Sequence, residues 1–236
     1  MEFLLRILDI LLPRRCVGCG KKGVSLCGEC TDALPRAVAA PLDCEALFDY
    51  NHKVMRRAVW RLKYRGDRTL AEIFGKRMAE EFLEEHTQML SRLAYGGRIL
   101  LIPVPSTRKR YFERGYNQAE LIVRALAQSK TDVWEPVDVL YKIRDNQRQT
   151  TLKDRIEREK NVSDIIAVKD KHLTANRICV VVDDVITTGA TMRACMGALA
   201  HAGARNVSGI AVAHGEKIWK KELAGEVAER LKATSC

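Results

Sequence analysis

The segment from Ile178 to Thr191, Ile-Cys-Val-Val-Val-Asp-Asp-Val-Ile-Thr-Thr-Gly-Ala-Thr, constrains the fold more than any other stretch of this chain. Its first five residues are apolar without polar alternation, which reads as a strand buried on both faces. Two acids follow, and then small and hydroxyl residues lead into a helix predicted over Thr191–Ala202 and ended by Gly203. Arg98–Val104 and Val207–Ala213 read as further apolar strands, and Gly115–Gln128 as another helix. Short continuous apolar strands separated by helices predict an α/β fold, a parallel sheet flanked by helices. With 47% apolar residues in 236, the chain can bury such a core, and disordered or fibrous classes are excluded.

In an open sheet of this kind ligands bind outside the carboxyl ends of the strands, where Asp183 and Asp184 fall. Thr187, Thr188, Gly189, Ala190 and Thr191 open the following helix. Their N–H groups and hydroxyls suit a phosphate at the positive end of the helix dipole, and Gly189 permits close backbone approach. Carboxylates touching phosphate would repel it, so their place beside a phosphate cradle calls for sugar hydroxyls: a ribose 5-phosphate. The plainer reading is an ordinary strand-to-helix unit with an acidic turn. The ordered combination argues against it.

Four cysteines stand as Cys16-Val-Gly-Cys19 and Cys27-Gly-Glu-Cys30. Two C-x-x-C turns bring four thiolates onto one ion, the pattern of a structural Zn²⁺ site with no open position for catalysis. The alternative is a cluster of free or redox-active thiols. Cys44, Cys179, Cys195 and Cys236 have no partner at ligand spacing and read as core or surface thiols.

Forty Lys and Arg against thirty Asp and Glu give a net charge of +10, which favours polyanionic partners: nucleic acid, phosphorylated metabolites or an acidic membrane surface. No apolar run is long enough to span a bilayer. Leu4, Leu5, Leu8, Leu11 and Leu12 recur at helical spacing and predict an amphipathic helix packed on the body, with weak membrane-surface association as the alternative. No secretory signal is evident, so a cytoplasmic location is expected. A short strand is predicted around Ala46–Phe48, and helices over about Lys53–Tyr64 and Leu70–Leu90. Seven cations between Lys53 and Arg68, interleaved with Trp60 and Tyr64, suit nucleic-acid phosphates and bases. The plainer reading, a solvated basic face with its aromatics in the core, has the greater weight. The polar stretch from about Asp145 to Lys160 reads as a mobile loop or exposed helix. Organisation is expected as a helix and zinc knuckle over 1–40, an α/β domain over 41–215 and a helical tail over 216–236.

The Val181–Thr191 segment resembles the phosphoribosyl diphosphate (PRPP) motif of type I phosphoribosyltransferases. Further segments resemble those of the ComF family of competence-associated proteins: the cysteine knuckle, Leu62-Lys-Tyr-Arg-Gly-Asp67, Ile102-Pro-Val-Pro105 followed by Arg110 and Arg114-Gly-Tyr-Asn-Gln118, and Gln149-Thr-Thr-Leu152 with Asn161-Val162. The resemblance implies a type I phosphoribosyltransferase fold with an N-terminal zinc knuckle. It implies PRPP bound with Mg²⁺, Asp183 and Asp184 accepting the ribose hydroxyls, Thr187 to Thr191 holding the 5-phosphate, and Arg110 and Arg114 contacting the pyrophosphate. It also implies a role in DNA uptake during natural transformation, with single-stranded DNA and other competence proteins as partners. Two readings follow. One is an enzyme that transfers ribose 5-phosphate from PRPP to an acceptor. The other is a non-catalytic protein of the uptake machinery that senses PRPP or binds single-stranded DNA.

Overall fold

The computed structural model describes residues 14–38, 40, 44–93, 97–129, 132–143 and 166–215, with the backbone alone for 83–93. The helix expected at the N-terminus, the polar stretch 145–160 and the tail 216–236 lie outside the described residues.

Five strands, β1 (Cys44–Asp49), β2 (Ile99–Pro103), β3 (Trp134–Pro136), β6 (Ile178–Ile186) and β7 (Asn206–His214), form one parallel sheet in the order β1-β7-β6-β2-β3. β4 (Leu140–Lys142) and β5 (Ile166–Val168) make a separate antiparallel pair. Between β2 and β6 the chain switches direction across the sheet: β3 continues on one side, β7 on the other. Register sets Ile102 beside Val181 and Val181 beside Gly209.

The apolar strands are buried on both faces, and their side chains sort by the period of two that strand geometry imposes. Ile99 and Leu101 of β2, with Ile178, Val180 and Val182 of β6, join one core cluster. Leu100 and Ile102, with Cys179 and Val181, join the other. The first cluster is covered by three helices, α2 (Lys53–Tyr64), α3 (Thr69–Leu93) and α5 (Gln118–Gln128), through Met55, Leu62, Phe74 and Ile122. The second is covered by α6 (Ala190–His201) through Met192, Cys195 and Leu199. Gly75 lets α3 and α5 touch, since a Cβ there would meet the Ala125 Cβ at 2.5 Å.

Two short helices were not expected. α1 (Gly28–Asp32) carries the second cysteine pair, and α4 (Arg108–Arg114) precedes α5. The helix expected over Gly115–Gln128 starts at Gln118, and α4 lies before that range. Thr107 caps α4 by accepting from the Arg110 N–H, and Gly115 ends it at φ 75°. Asn117 then caps α5 and donates from Nδ2 to the Val104 carbonyl at 3.0 Å, tying the helix start to the end of β2. β6 is longer than the five apolar residues suggested, because Asp183 and Asp184 remain in strand conformation and pair with β7 through Asp183 and Ala211.

Candidate active site

At the carboxyl ends of β2 and β6, on the switch of direction, lies a cavity of about 350 Å³. Asp183, Asp184, Thr187 and Thr191 line one side, and Pro105, Ser106, Arg110 and Arg114 another. The structure thus brings together the acids, two of the three threonines and both arginines singled out in the sequence. Thr188, Gly189 and Ala190 do not line it. They build the turn into α6, where Gly189 sits at φ 71° as N-cap, a conformation that favours glycine. Thr188 Oγ1 accepts from the Ala190 N–H at 3.5 Å, the outer limit of a hydrogen bond.

The sequence treats the two acids as equivalent, and the fold separates them. By strand alternation Asp184 follows Val180 and Val182 toward α2, and Asp183 follows Cys179 and Val181 toward α6. Lys63, on α2, meets Asp184: its Nζ lies 2.9 Å from Asp184 Oδ2. Burial alone would push the Lys63 ammonium down, but the Asp184 charge outweighs it and holds the group above its ordinary range. Asp183 Oδ1 accepts from the Asp184 N–H at 2.8 Å. Its carboxyl is raised to about 7, first by burial and then by the neighbouring Asp184 charge, with Lys63 and Lys142 opposing. An edge of Asp183 still opens on the cavity although the carboxyl is densely surrounded. Asp183 thus uses Oδ1 for the Asp184 N–H, and Asp184 uses Oδ2 for Lys63.

Five cations, Arg56, Lys63, Arg110, Arg114 and Lys142, face these two acids around the cavity. Such a surplus suits a polyanionic ligand. Arg114 donates to Gln118 Oε1 at 2.9 Å and its guanidinium lies 5.0 Å from the Tyr64 ring centroid. Its buried Nε and the Gln118 Nε2 have no hydrogen-bond partner among the described residues. The reading of α2 as a solvated basic face with core aromatics is corrected in part: Lys63, Arg56 and Trp60 line the cavity, and Tyr64 is 60% exposed. Composition hides this, because a helical cation turned inward reads like one turned outward. The only signal for Lys63 was the Leu62-to-Asp67 resemblance.

The four cysteines form a second constellation on the far side of α2. All four Sγ atoms lie within 4.8 Å of one another, and none is in a disulfide. Sulfurs at the corners of a tetrahedron with metal bonds of about 2.3 Å stand about 3.8 Å apart. Cys27 Sγ is 3.7 Å from both Cys16 Sγ and Cys19 Sγ. Burial opposes ionisation of Cys16, but backbone groups of Cys19, Cys27 and Gly18 outweigh it and hold the thiol at about 6. Cys30 is pushed up to about 12, chiefly by its hydrogen bond with Cys27. Four thiols so close cannot all ionise unaided, and a dication removes the conflict, so the donor set fits a metal ion.

This knuckle is joined to α2 by polar contacts. Asp67, just past α2, accepts from Ser25 Oγ at 2.8 Å and Thr69 Oγ1 at 2.6 Å, and pairs with Arg61 at 2.8 Å. Arg61 also donates to the Arg15 carbonyl at 2.6 Å, next to Cys16.

A family model described as a phosphoribosyl transferase domain matches residues 114–230. Competence protein ComFC of Bacillus subtilis is 28% identical over 147 residues, 62% of this chain and 53% of the relative. Its Streptococcus pneumoniae counterpart is 28% identical over 162 residues, 69% of this chain and 64% of the relative. Competence protein F of Haemophilus influenzae is 35% identical over 94 residues, 39% of this chain and 40% of the relative. The chain is similar to the ComF competence proteins, and the phosphoribosyl transferase domain model matches about half of it. It matches between about half and two thirds of the length of the ComFC relatives. Similar solved structures include the glutamine PRPP amidotransferase of B. subtilis, 20% identical over 59% of this chain and 25% of that one at a TM-score of 0.37. Hypoxanthine phosphoribosyltransferase of Trypanosoma cruzi is 10% identical over 62% and 65%, at a TM-score of 0.39. The parallel sheet with helices on both faces is the type I phosphoribosyltransferase fold expected from the sequence, with the four-cysteine cluster at its N-terminal side. Among the described residues no helix is long and apolar enough to cross a membrane.

Proposed function

We propose that the cavity binds PRPP and that the protein transfers its ribose 5-phosphate to an acceptor with release of pyrophosphate. The observation that carries this reading is the convergence of the Asp183–Asp184 pair, the Thr187–Thr191 turn and Arg110 with Arg114 on one cavity. In this reading Asp183 Oδ2 and Asp184 Oδ1 accept the ribose hydroxyls. The N-terminus of α6 holds the 5-phosphate with Thr187 and Thr191. Arg110 and Arg114 meet the diphosphate.

In the transfer the bond from the anomeric carbon to the diphosphate oxygen breaks, and the bonding pair leaves with pyrophosphate. The acceptor nucleophile forms the new bond to that carbon and gives up its proton. The carboxylates stabilise positive charge on the ribose ring, and the arginines stabilise negative charge on the leaving group. Mg²⁺ bound to the diphosphate oxygens would neutralise further charge there. At the knuckle, Cys16, Cys19, Cys27 and Cys30 would hold structural Zn²⁺. The free thiols among the described residues suit a reducing cytoplasm, and kinship to competence proteins supports a role in DNA uptake.

Calorimetric titration with PRPP and Mg²⁺, followed by a pyrophosphate-release assay with pooled bases and amines, tests this reading. Binding with release is the expected result. Absence of binding rejects the PRPP assignment, and binding without release leaves a sensor. One observation favours the second reading, single-stranded DNA as a ligand. α4 presents Phe112 at 83% and Tyr111 at 49% exposure between basic residues at the rim of the cavity, a surface on which bases can stack. Salt-dependent binding of oligo(dT), lost in Tyr111→Ala with Phe112→Ala, is its test.

A further inference from the structure

Two adjacent carboxylates beside a phosphorylated sugar pose a problem that neither acid solves alone. Each repels the other, each is desolvated at the end of β6, and the ligand brings more negative charge. The solution lies across the cavity on a different element. Lys63 reaches from the last turn of α2 to Asp184 Oδ2, with its side chain 20% and that of Asp184 9% exposed. The contact is selective, because strand alternation turns Asp184 toward α2 and Asp183 away from it.

We propose that Lys63 is a positioning residue for the ribose site: it fixes Asp184 with one oxygen occupied and cancels its charge, so that the acid pair can accept a vicinal diol. The proposal rests on the ribose-phosphate reading above. Asp184 is thereby a half-neutralised acceptor locked in direction, and Asp183 accepts from the Asp184 N–H beside it. α2 itself is held from two sides. The Tyr116 hydroxyl donates to the Leu62 carbonyl, adjacent to Lys63 in the chain, and Arg61 and Asp67 anchor the helix end to the knuckle. The lysine therefore stands on a braced element rather than on a loop, as placement of a ligand-binding group requires.

Without Lys63 the ion pair to Asp184 is gone, and one of the two carboxyls keeps its proton to higher pH. The groups that face the pair are Lys63, Arg56 and Tyr64 on α2, Tyr50 after β1, Arg110 and Arg114 on α4, Lys142 on β4 and Cys195 on α6. Binding of PRPP with Mg²⁺ is measured by calorimetry from pH 6 to 9 in the full chain and in Lys63→Met, Lys63→Gln and Lys63→Arg. Folding of each is checked by circular dichroism, and Lys63→Gln supplies the comparison if Lys63→Met does not fold. The expected result is a loss of about tenfold or more in affinity for the neutral variants. Their pH profile moves upward by about one unit, and Lys63→Arg restores most of the affinity. A neutral variant that binds within about threefold of the parent, with an unmoved pH profile, overturns the proposal and leaves the PRPP reading standing. A parent protein that binds no PRPP overturns both.

Discussion

Replacing Asp183 by Asn should make the unliganded protein more stable at neutral pH. The Asp183 carboxyl sits at about 7 against an ordinary 3.8, because burial and the Asp184 charge disfavour its ionised form. An acid raised in the fold binds its proton more tightly than in the unfolded chain. Its contribution is therefore most favourable below pH 4, declines as pH rises from about 4 to about 7, and is flat above. At about 1.4 kcal/mol per pH unit the full decline is about 4 kcal/mol. The edge open to cavity water and the proton shared with Asp184 reduce this to about 2 kcal/mol for the single site. Asn keeps the shape and still accepts the Asp184 N–H through its Oδ1, so little else changes. Urea unfolding followed by tryptophan fluorescence at pH 4, 6 and 8 measures the difference. The Asn variant should be more stable by about 2 kcal/mol at pH 8, with the gap closing toward pH 4. PRPP binding should be lost in the same variant. A variant less stable than the parent at pH 8, or a gap that does not change with pH, would refute the reasoning, since both require that ionised Asp183 is not strained in the fold.

The neighbouring substitution should act in the opposite direction. Asp184→Asn leaves the Lys63 ammonium without its direct partner and should destabilise by about 3 kcal/mol at pH 7, read from urea midpoints. Mass spectrometry under native conditions should find about one zinc per chain, and Cys27→Ser should abolish it. Stripping the metal with a chelator should lower the thermal midpoint and expose α2 to hydrogen exchange, because Ser25 and Arg15 anchor that helix through Asp67 and Arg61. Gly75→Ala should cost about 1 to 3 kcal/mol in the same unfolding assay, because its new methyl would collide with Ala125 across the α3–α5 contact.

Much of the architecture was legible locally. β2, β6 and β7 show as apolar runs without alternation, and strands buried on both faces permit nothing else. The turn from Asp183 to Thr191 declares itself because acid, hydroxyl and glycine are each needed within one strand-to-helix connection. Two C-x-x-C pairs predict converging thiolates before any coordinate is known. β3, β4 and β5 escaped because three-residue strands carry too little periodicity to register. α4 escaped because Arg-Lys-Arg-Tyr-Phe-Glu-Arg has no buried face to reveal it, and α4 has no buried residue.

Everything set by neighbours along the chain could therefore be read from the residues alone: the layered α/β class, the strand-to-helix turn at Gly189 and the four-thiol knuckle. Tertiary structure alone decided the partnerships. It joined Lys63 to Asp184, set Arg114 against Tyr64 and Gln118, and tied the knuckle to α2 through Asp67. The reason is physical. A charged side chain on a helix has the same local pattern whether it faces water or an acid. Only the packing of α2 over the end of β6 decides which of its many cations is desolvated, and only strand alternation decides which aspartate meets it.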